Sequence, residues 1–597
     1  MESNMPISLF FIVAFLSLFC TTIMIRKTDR KLLLVQEIII TIITIVCYGA
    51  LIAAILTALK CPVNILSIGI VYLLTAICIF FWMRKKKTYQ HFEWSWFDFV
   101  IEVIIVVGVC GLARHFFGAG MNLRYWTSDA AVHVISANAI VLEQSVSSMY
   151  FAPLFNALII EIFQPIYSGI MIYKGFIIAD VIMLALELSI FYVVIRPYFR
   201  KKSHMIIGMV LVGLYFAGYP LHSFIYTFNY WGIGVLLLGY LLATTQRMLE
   251  DEISVRKSTI DLMLGCLGIM TCYMLFAPMA FISVLICMFY YTKKQEKPIF
   301  TIKNFLWSIK VFLVPVIVGL YYCYVQFFVN QKLSVGTALN EQGAIYRELY
   351  IDFIWFIPFV IYVFIHAIRK KKLQAIHVFF ACFGFTTFAM LLLTLKGHMS
   401  SYYYYKIYYP LWLFSFVITA YGIFLLLDEA KDYAIGLIAL YVAIFTMGGM
   451  GIEDRIVNGG TALQMENKSS KIFNLYTTNL AYIKMDWSVY QFNQEYLNLT
   501  EYVYDNLNQT DKDVPMIVDG GSYPICYWYM AFTGQKCQDY YGWVNDIAKT
   551  QSMIASDKMD YVVLIYGSEY YQSNIEYWNQ FDKVYENTAG CIVQVNE

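Results

Sequence analysis

Apolar stretches of about twenty residues, the length a helix needs to cross bilayer hydrocarbon, recur from the first residues to about residue 452 and then stop. The pattern predicts about fourteen spans, at 5–25, 32–59, 63–83, 96–113, 168–195, 205–226, 231–247, 258–274, 275–292, 305–328, 353–368, 373–395, 407–427 and 433–452. The tail, residues 453–597, breaks that rhythm and is rich in asparagine, aspartate and glutamine. VPMIVDGG (514–521) and DYVVLIYG (560–567) are apolar runs of strand length that stop at glycine, and each precedes a helix-like segment. With VYENTAGCIVQVNE as a terminal hairpin, this alternation predicts a small α/β domain. It has no glycine-rich phosphate loop, so a cap over the membrane part is the plainer expectation for it.

Lysine and arginine gather in every second connection: RKTDRK after the first span, RKKK at 84–87, RPYFRKK at 196–202, the loop from Arg247 to Lys257, KKQEK at 293–297 and RKKK at 369–372. Such residues concentrate on the cytoplasmic side. The alternate loops, around Lys60, 114–166, 227–230, 329–352 and 396–406, are then expected to face outward, with the N-terminus and the tail. No basic residue precedes the first span and RKTDRK follows it, which argues against a cleaved signal peptide. The expected organisation is an N-terminal transmembrane extension (1–95), a transmembrane catalytic core (96–452) and an extracytoplasmic α/β domain (453–597).

Composition agrees with a membrane protein: of 597 residues, 60% are hydrophobic, 18% aromatic and only 14% charged. The net charge of +1 conceals the loop clusters and points to no nucleic-acid partner. The 13 cysteines are mostly scattered through apolar segments without metal-ligand spacing, so no metal site is expected. In the tail, Cys526 and Cys537 could pair and leave Cys591 free; a cysteine count does not fix connectivity.

Polar residues in so apolar a chain are the candidates for chemistry. In YWTSDAAVHV (125–134), Ser128 is placed to cap a helix, Asp129 to occupy its first turn, where the helix dipole favours a negative charge, and His133 to lie one turn on along the same face. The bland alternative is an interfacial helix with a surface histidine. MYFAPLFNALIIEIF, interrupted by Pro153 and Glu161, reads as a second helix lying in the interface. A carboxylate there can act as a general base toward a hydroxyl. Far along the chain, LKGHMSSYYYYKIYYPLW (395–412) holds Lys396, His398, Lys406 and six tyrosines, including Tyr404 and Tyr405. Lys406 stands at the mouth of a span on the side where basic residues are disfavoured, so an anionic partner is expected, a lipid phosphate being one; snorkelling to the headgroups is the alternative. EQGAIYRELY (341–350) adds Tyr346, Arg347 and Glu348, with Arg347 either binding phosphate or pairing with its acidic neighbours. Lys174 is another outward cation that needs a partner.

In the order of these parts the chain resembles the GT-C superfamily of integral-membrane glycosyltransferases. An acidic residue in an early outward loop (SDAAVH), a Pro-containing interfacial segment (YFAPLFNAL), many spans and an outward C-terminal α/β domain follow one another over residues 110–597. The resemblance implies a polytopic α-helical membrane protein that takes a sugar from a polyprenyl-phosphate donor, among membrane lipids, and passes it to a glycan, lipid or protein acceptor. It implies that Asp129 is the acceptor-activating base of an inverting transfer and that cations hold the donor phosphate: Lys406 first, then Arg347, Lys396 and Lys174. His398, Tyr404, Tyr405, Tyr346 and Glu348 are expected to contact substrate. Many members carry two adjacent acidic residues where this chain has DAA, so metal-independent chemistry without a cofactor is expected. For His133 three roles stay open: supporting Asp129, touching a sugar hydroxyl, or none.

The rival is a transporter or flippase of lipid-linked substrate, suggested by Asp180 and Glu187 on one face of a span. Helix-to-helix hydrogen bonding is the structural alternative for that pair. The long outward loops, the tail and the lack of an inverted repeat favour transfer. An outer-face oligosaccharide polymerase or ligase would share the topology. A bacterial plasma membrane is the expected location.

Overall fold

In a bilayer the backbone must satisfy its own amides, which restricts spans to helices or closed barrels. The computed structural model describes residues 5–25, 28–87, 89–147, 149–325, 328, 353, 355–429, 474–508, 512–519, 521–535, 537 and 547–596. Among these residues the protein is mostly helical, with eleven helices long and apolar enough to cross a membrane and a small sheet near the C-terminus. The helices of the membrane part are α1 (Met5–Met24), α2 (Leu34–Ala58), α3 (Ile65–Lys86), α4 (Trp96–Phe117), α5 (Asp129–Glu143), α6 (Phe151–Phe163), α7 (Ile172–Ile195), α8 (Lys202–Ala217), α9 (Tyr219–Ile225) and α10 (Asn229–Leu249). They continue with α11 (Val255–Cys272), α12 (Ala277–Lys294), α13 (Ile302–Tyr324), α14 (Ile357–Lys370), α15 (Ala375–Leu395), α16 (Ser401–Lys406) and α17 (Tyr408–Glu429).

Three expected spans fall outside the eleven. Residues 258–274 do form a helix, α11, but Arg256, Lys257 and Asp261 lower its apolar character, and Lys257 pairs with Asp261 within it. Residues 353–368 give α14, only 14 residues long and opened by Pro358. The span expected at 433–452 lies outside the described residues. The span expected at 205–226 is one of the eleven, and Gly218 divides it into two helices ahead of Pro220. A Cβ on Gly218 would lie 2.2 Å from the Trp412 ring, so only glycine fits where α8 turns into α9 against α17.

Helices α7, α10 and α17 are buried along nearly their whole length and form the core. The segment expected to lie in the interface, α6, is instead packed inside the helix assembly and buried over most of its surface. Pro153 is tolerated in its first turn, and the Glu161 carboxylate accepts the Ile65 N–H at 2.7 Å, supplying an acceptor at the start of α3.

The loop clusters of lysine and arginine converge at one end. Glu37 at the start of α2 pairs with Arg247 at the end of α10, and Asp98 at the start of α4 meets Arg196, just past α7, at 2.6 Å. Arg30 donates to the Glu250 carbonyl at 3.3 Å. Two short parallel strands, β1 (Leu32–Leu33) and β2 (Phe92–Glu93), lie there too.

The C-terminal part comprises α18 (Asn474–Lys484), α19 (Gln494–Tyr502), β3 (Met516–Ile517), α20 (Tyr523–Thr533), α21 (Ile547–Ala555), β4 (Tyr561–Ile565), α22 (Glu569–Ser573), α23 (Ile575–Trp578), β5 (Asp582–Glu586) and β6 (Gly590–Gln594). Sheet order is β3-β4-β6-β5, with β3 and β4 parallel and the β5–β6 hairpin antiparallel to β4. The crevice at the end of a parallel strand pair is where α/β folds bind anionic ligands, and here Asp519 fills that position. Its carboxylate accepts N–H groups of Gly521 at 2.8 Å, Ser522 at 3.0 Å and Glu569 at 2.6 Å. Burial pushes this carboxyl up, but those amides outweigh it and hold it below the usual range. The crevice is closed by the chain's own anion.

Candidate functional site

At the end of the bundle away from the basic clusters, the C-terminal part sits on α5. Asn138 of α5 donates to the Ala531 carbonyl of α20 at 2.7 Å, and Tyr125, in the loop leading to α5, stacks on Trp528 with ring centres 5.7 Å apart. Phe492 N–H reaches the Leu123 carbonyl at 2.7 Å. The residues before Asp129 are thus clamped from above.

They are also fixed from below. The Tyr125 hydroxyl donates to Asp180 of α7 at 3.0 Å, Asn229 at the start of α10 donates to the other Asp180 oxygen at 2.8 Å, and Asn156 of α6 donates to Asn229 at 3.0 Å. Glu187, further down α7, accepts from the Tyr215 hydroxyl at 3.1 Å. Asp180 and Glu187 are therefore both engaged between helices. Asp180, through Tyr125, helps hold the loop that presents Asp129.

Asp129 begins α5 as expected, but Ser128 does not cap it: its backbone is already near-helical and its hydroxyl makes no capping bond. The Asp129 side chain is half-buried. Burial raises its carboxyl above the ordinary value, and the Lys406 ammonium, from the far end of the sequence, acts in the opposite direction. Carboxylate and ammonium therefore lie within electrostatic reach of each other. Lys406 ends the short helix α16, and its Nζ sits 3.7 Å from the Tyr402 ring centre, with Trp231 at 5.3 Å, Tyr403 at 5.4 Å and Tyr273 at 5.5 Å. Four aromatic faces and a carboxylate offset the cost of the buried part of this cation.

His133 lies one turn after Asp129 and is buried, with its ring against Tyr230 at 4.8 Å. Its Nε2–H donates to the Thr227 carbonyl at 2.9 Å. Burial pushes the imidazole down to about 4, against the pull of that carbonyl, so the ring is neutral at physiological pH with its proton on Nε2. Thr227 carries φ +57°, an uncommon conformation for a β-branched residue, and its buried hydroxyl has no hydrogen-bond partner among the described residues. His133 thus ties α5 to the strained turn between α9 and α10.

The other expected residues scatter. Tyr404 is buried and shares a hydroxyl–hydroxyl bond with Tyr408, and Tyr405 packs its ring on Tyr404 at 5.1 Å. Lys396 and His398 are exposed on the connection after α15. Lys174 lies 5.5 Å from the Tyr167 ring centre. Tyr346, Arg347 and Glu348 fall outside the described residues. An apolar cavity of about 310 Å³ opens between α14, α15 and α17, walled by Phe356, Val360, Phe380 and Phe388 together with Tyr404 and Tyr408, the near neighbours of Lys406.

The aromatic cage, Thr227, and the Tyr125, Asn229 and Asn156 chain were not singled out from sequence. Asn229 left a signal, being an amide at the mouth of an apolar span; the cage rings left none distinguishable from the usual interfacial tyrosines. No group of three or more histidine, cysteine or acidic side chains with metal-binding geometry occurs among the described residues. Compared with protein-family models and with curated proteins, the chain matches none.

Proposed function

We propose that this protein transfers a sugar from a polyprenyl-phosphate donor to a glycan, lipid or protein acceptor at the outer face of a bacterial plasma membrane. The membrane part as a whole would have about fourteen spans, with the α/β domain outside. In this reading Asp129 takes the proton of the acceptor hydroxyl as its oxygen bonds to the anomeric carbon. The bond from that carbon to the donor phosphate oxygen breaks, its electron pair stays on the phosphate, and Lys406 balances the charge that develops there. Attack from the face opposite the leaving group inverts the anomeric centre. The apolar cavity beside Tyr404 and Tyr408 suits the first units of a prenyl tail, and the rings around Lys406 offer flat faces to a sugar.

The observation that carries this reading is that Asp129 and Lys406, hundreds of residues apart in sequence, lie within electrostatic reach of each other at one end of the bundle beneath a cap. A raised carboxyl is also a better proton acceptor near neutral pH than an ordinary aspartate. Transfer and transport are separated by two variants assayed in proteoliposomes with a polyprenyl-phosphate sugar. Asp129→Asn is expected to lower product formation by about 10²–10⁴-fold, while Asp180→Asn keeps a measurable rate. Substrate movement that survives Asp129→Asn without any transfer would favour transport instead.

A further inference from the structure

Positive charge in cytoplasmic loops needs only to lie near the membrane surface to set orientation. Here part of it also rings a cavity. At the end opposite Asp129, a space of about 840 Å³ lies between the ends of α10, α12, α14 and α17 and the turn into α15. Tyr198, Tyr290, Tyr421 and Phe424 give it aromatic walls.

Most of its charged groups are engaged. Asp428 holds Arg200 at 3.2 Å and Lys201 at 3.9 Å. Glu429 accepts from the Tyr362 hydroxyl at 3.3 Å and faces His366 at 3.7 Å. Lys294 donates to the Leu249 carbonyl at 2.5 Å and meets Asp251 at 3.2 Å. Lys370 and Lys372, on either side of the turn after α14, close no ion pair among the described residues. The remaining carboxyl in the wall, Glu250, is pushed toward its neutral form by burial and by Glu252, against the pull of Lys372, a hydrogen bond from Gln246 and Lys294. Gln246, buried in the wall, accepts from the Tyr198 hydroxyl at 3.4 Å and turns its amide toward Glu250. The cavity therefore has positive charge to spare.

We propose that this cavity binds a phosphate monoester, its oxygens held by Lys370 and Lys372. A monoester carries between one and two negative charges at neutral pH and matches two lysines, whereas a diester carries one. The volume lies in the range of small-molecule sites, and basic pockets between spans at the cytoplasmic surface are a setting in which lipid headgroups are recognised. A membrane lipid and a soluble phosphate compound share this chemistry.

The test measures thermal unfolding of the full chain in phosphatidylcholine nanodiscs, alone, with added phosphatidic acid, with added phosphatidylglycerol, or with inorganic phosphate in the buffer. Phosphatidic acid is expected to raise the midpoint by about 2 °C or more where phosphatidylglycerol does not. The rise should vanish in Lys370→Gln/Lys372→Gln and persist in Lys85→Gln/Lys86→Gln, which removes exposed charge at the end of α3, outside the cavity wall. The same lysine-dependent rise with inorganic phosphate identifies a soluble ligand. No rise with either phosphate probe, an equal rise with phosphatidylglycerol, or equal loss in both variants overturns the proposal. No sugar transfer enters the measurement, so its outcome is separate from that of the transferase reading.

Discussion

At Asp129 two forces oppose each other: burial favours the protonated carboxyl, and Lys406 favours the charged one. Burial wins, which leaves a carboxylate with more than ordinary affinity for a proton. His133, four residues on, contributes in a different way. Its imidazole is held neutral, pushed down to about 4, and its N–H is committed to the Thr227 carbonyl. The folded state therefore binds fewer protons than the unfolded chain between about pH 6.5 and pH 4, so this group's contribution to stability shrinks as pH falls through that window. His133→Phe should remove that pH dependence while leaving a buried carbonyl unpaired, at a cost of about 1–3 kcal/mol, measured by thermal unfolding across pH. A profile unchanged from wild type would deny the strut. Asp129 and Lys406 were legible in the sequence because a charged residue beside apolar runs has few explanations. The four rings around Lys406 were not, since each is one interfacial aromatic among many until the helices bring them together.

Among the elements, α9 sets the rear of the site, because the turn that follows it carries Thr227. It exists as a separate helix through Gly218, whose backbone presses on Trp412 of α17 and whose carbonyl accepts from Asn479 at 2.7 Å. Gly218→Ala should force the Trp412 ring or the α8–α9 turn to move, costing about 1–3 kcal/mol and lowering transfer along with the unfolding midpoint. Unchanged stability would mean that the turn yields freely. Apolar length alone predicted the span here but not its break at Gly218, because length counts residues and not the closeness of a facing ring. The same limit applies to α6: its hydrophobic pattern, interrupted by Pro153 and Glu161, suggested the interface, whereas Glu161 bonds to the start of α3 and lets the helix be buried. The βα alternation of the tail was legible in full outline, since strand length, terminal glycine and following helix are all local signals.

For the whole molecule, basic clusters gather at one end and Asp129, Lys406 and the α/β cap at the other. Cys61 gives a native reporter of which end faces out: it is exposed, and two residues on, the Val63 N–H bonds to the Gln144 carbonyl at the end of α5. A membrane-impermeant maleimide added to intact cells should label Cys61, whereas labelling only after permeabilisation would place the Asp129 end inside. The joint action of Asp129 and Lys406 is read most directly from the pH dependence of kcat/KM for sugar transfer in wild type and Lys406→Gln. Wild type should lose activity on the acid side as a carboxyl titrates above the ordinary aspartate value. Removing the ammonium that opposes protonation should move this limb to higher pH as well as lower the rate. A limb that stays in place, or moves to lower pH, would contradict the account.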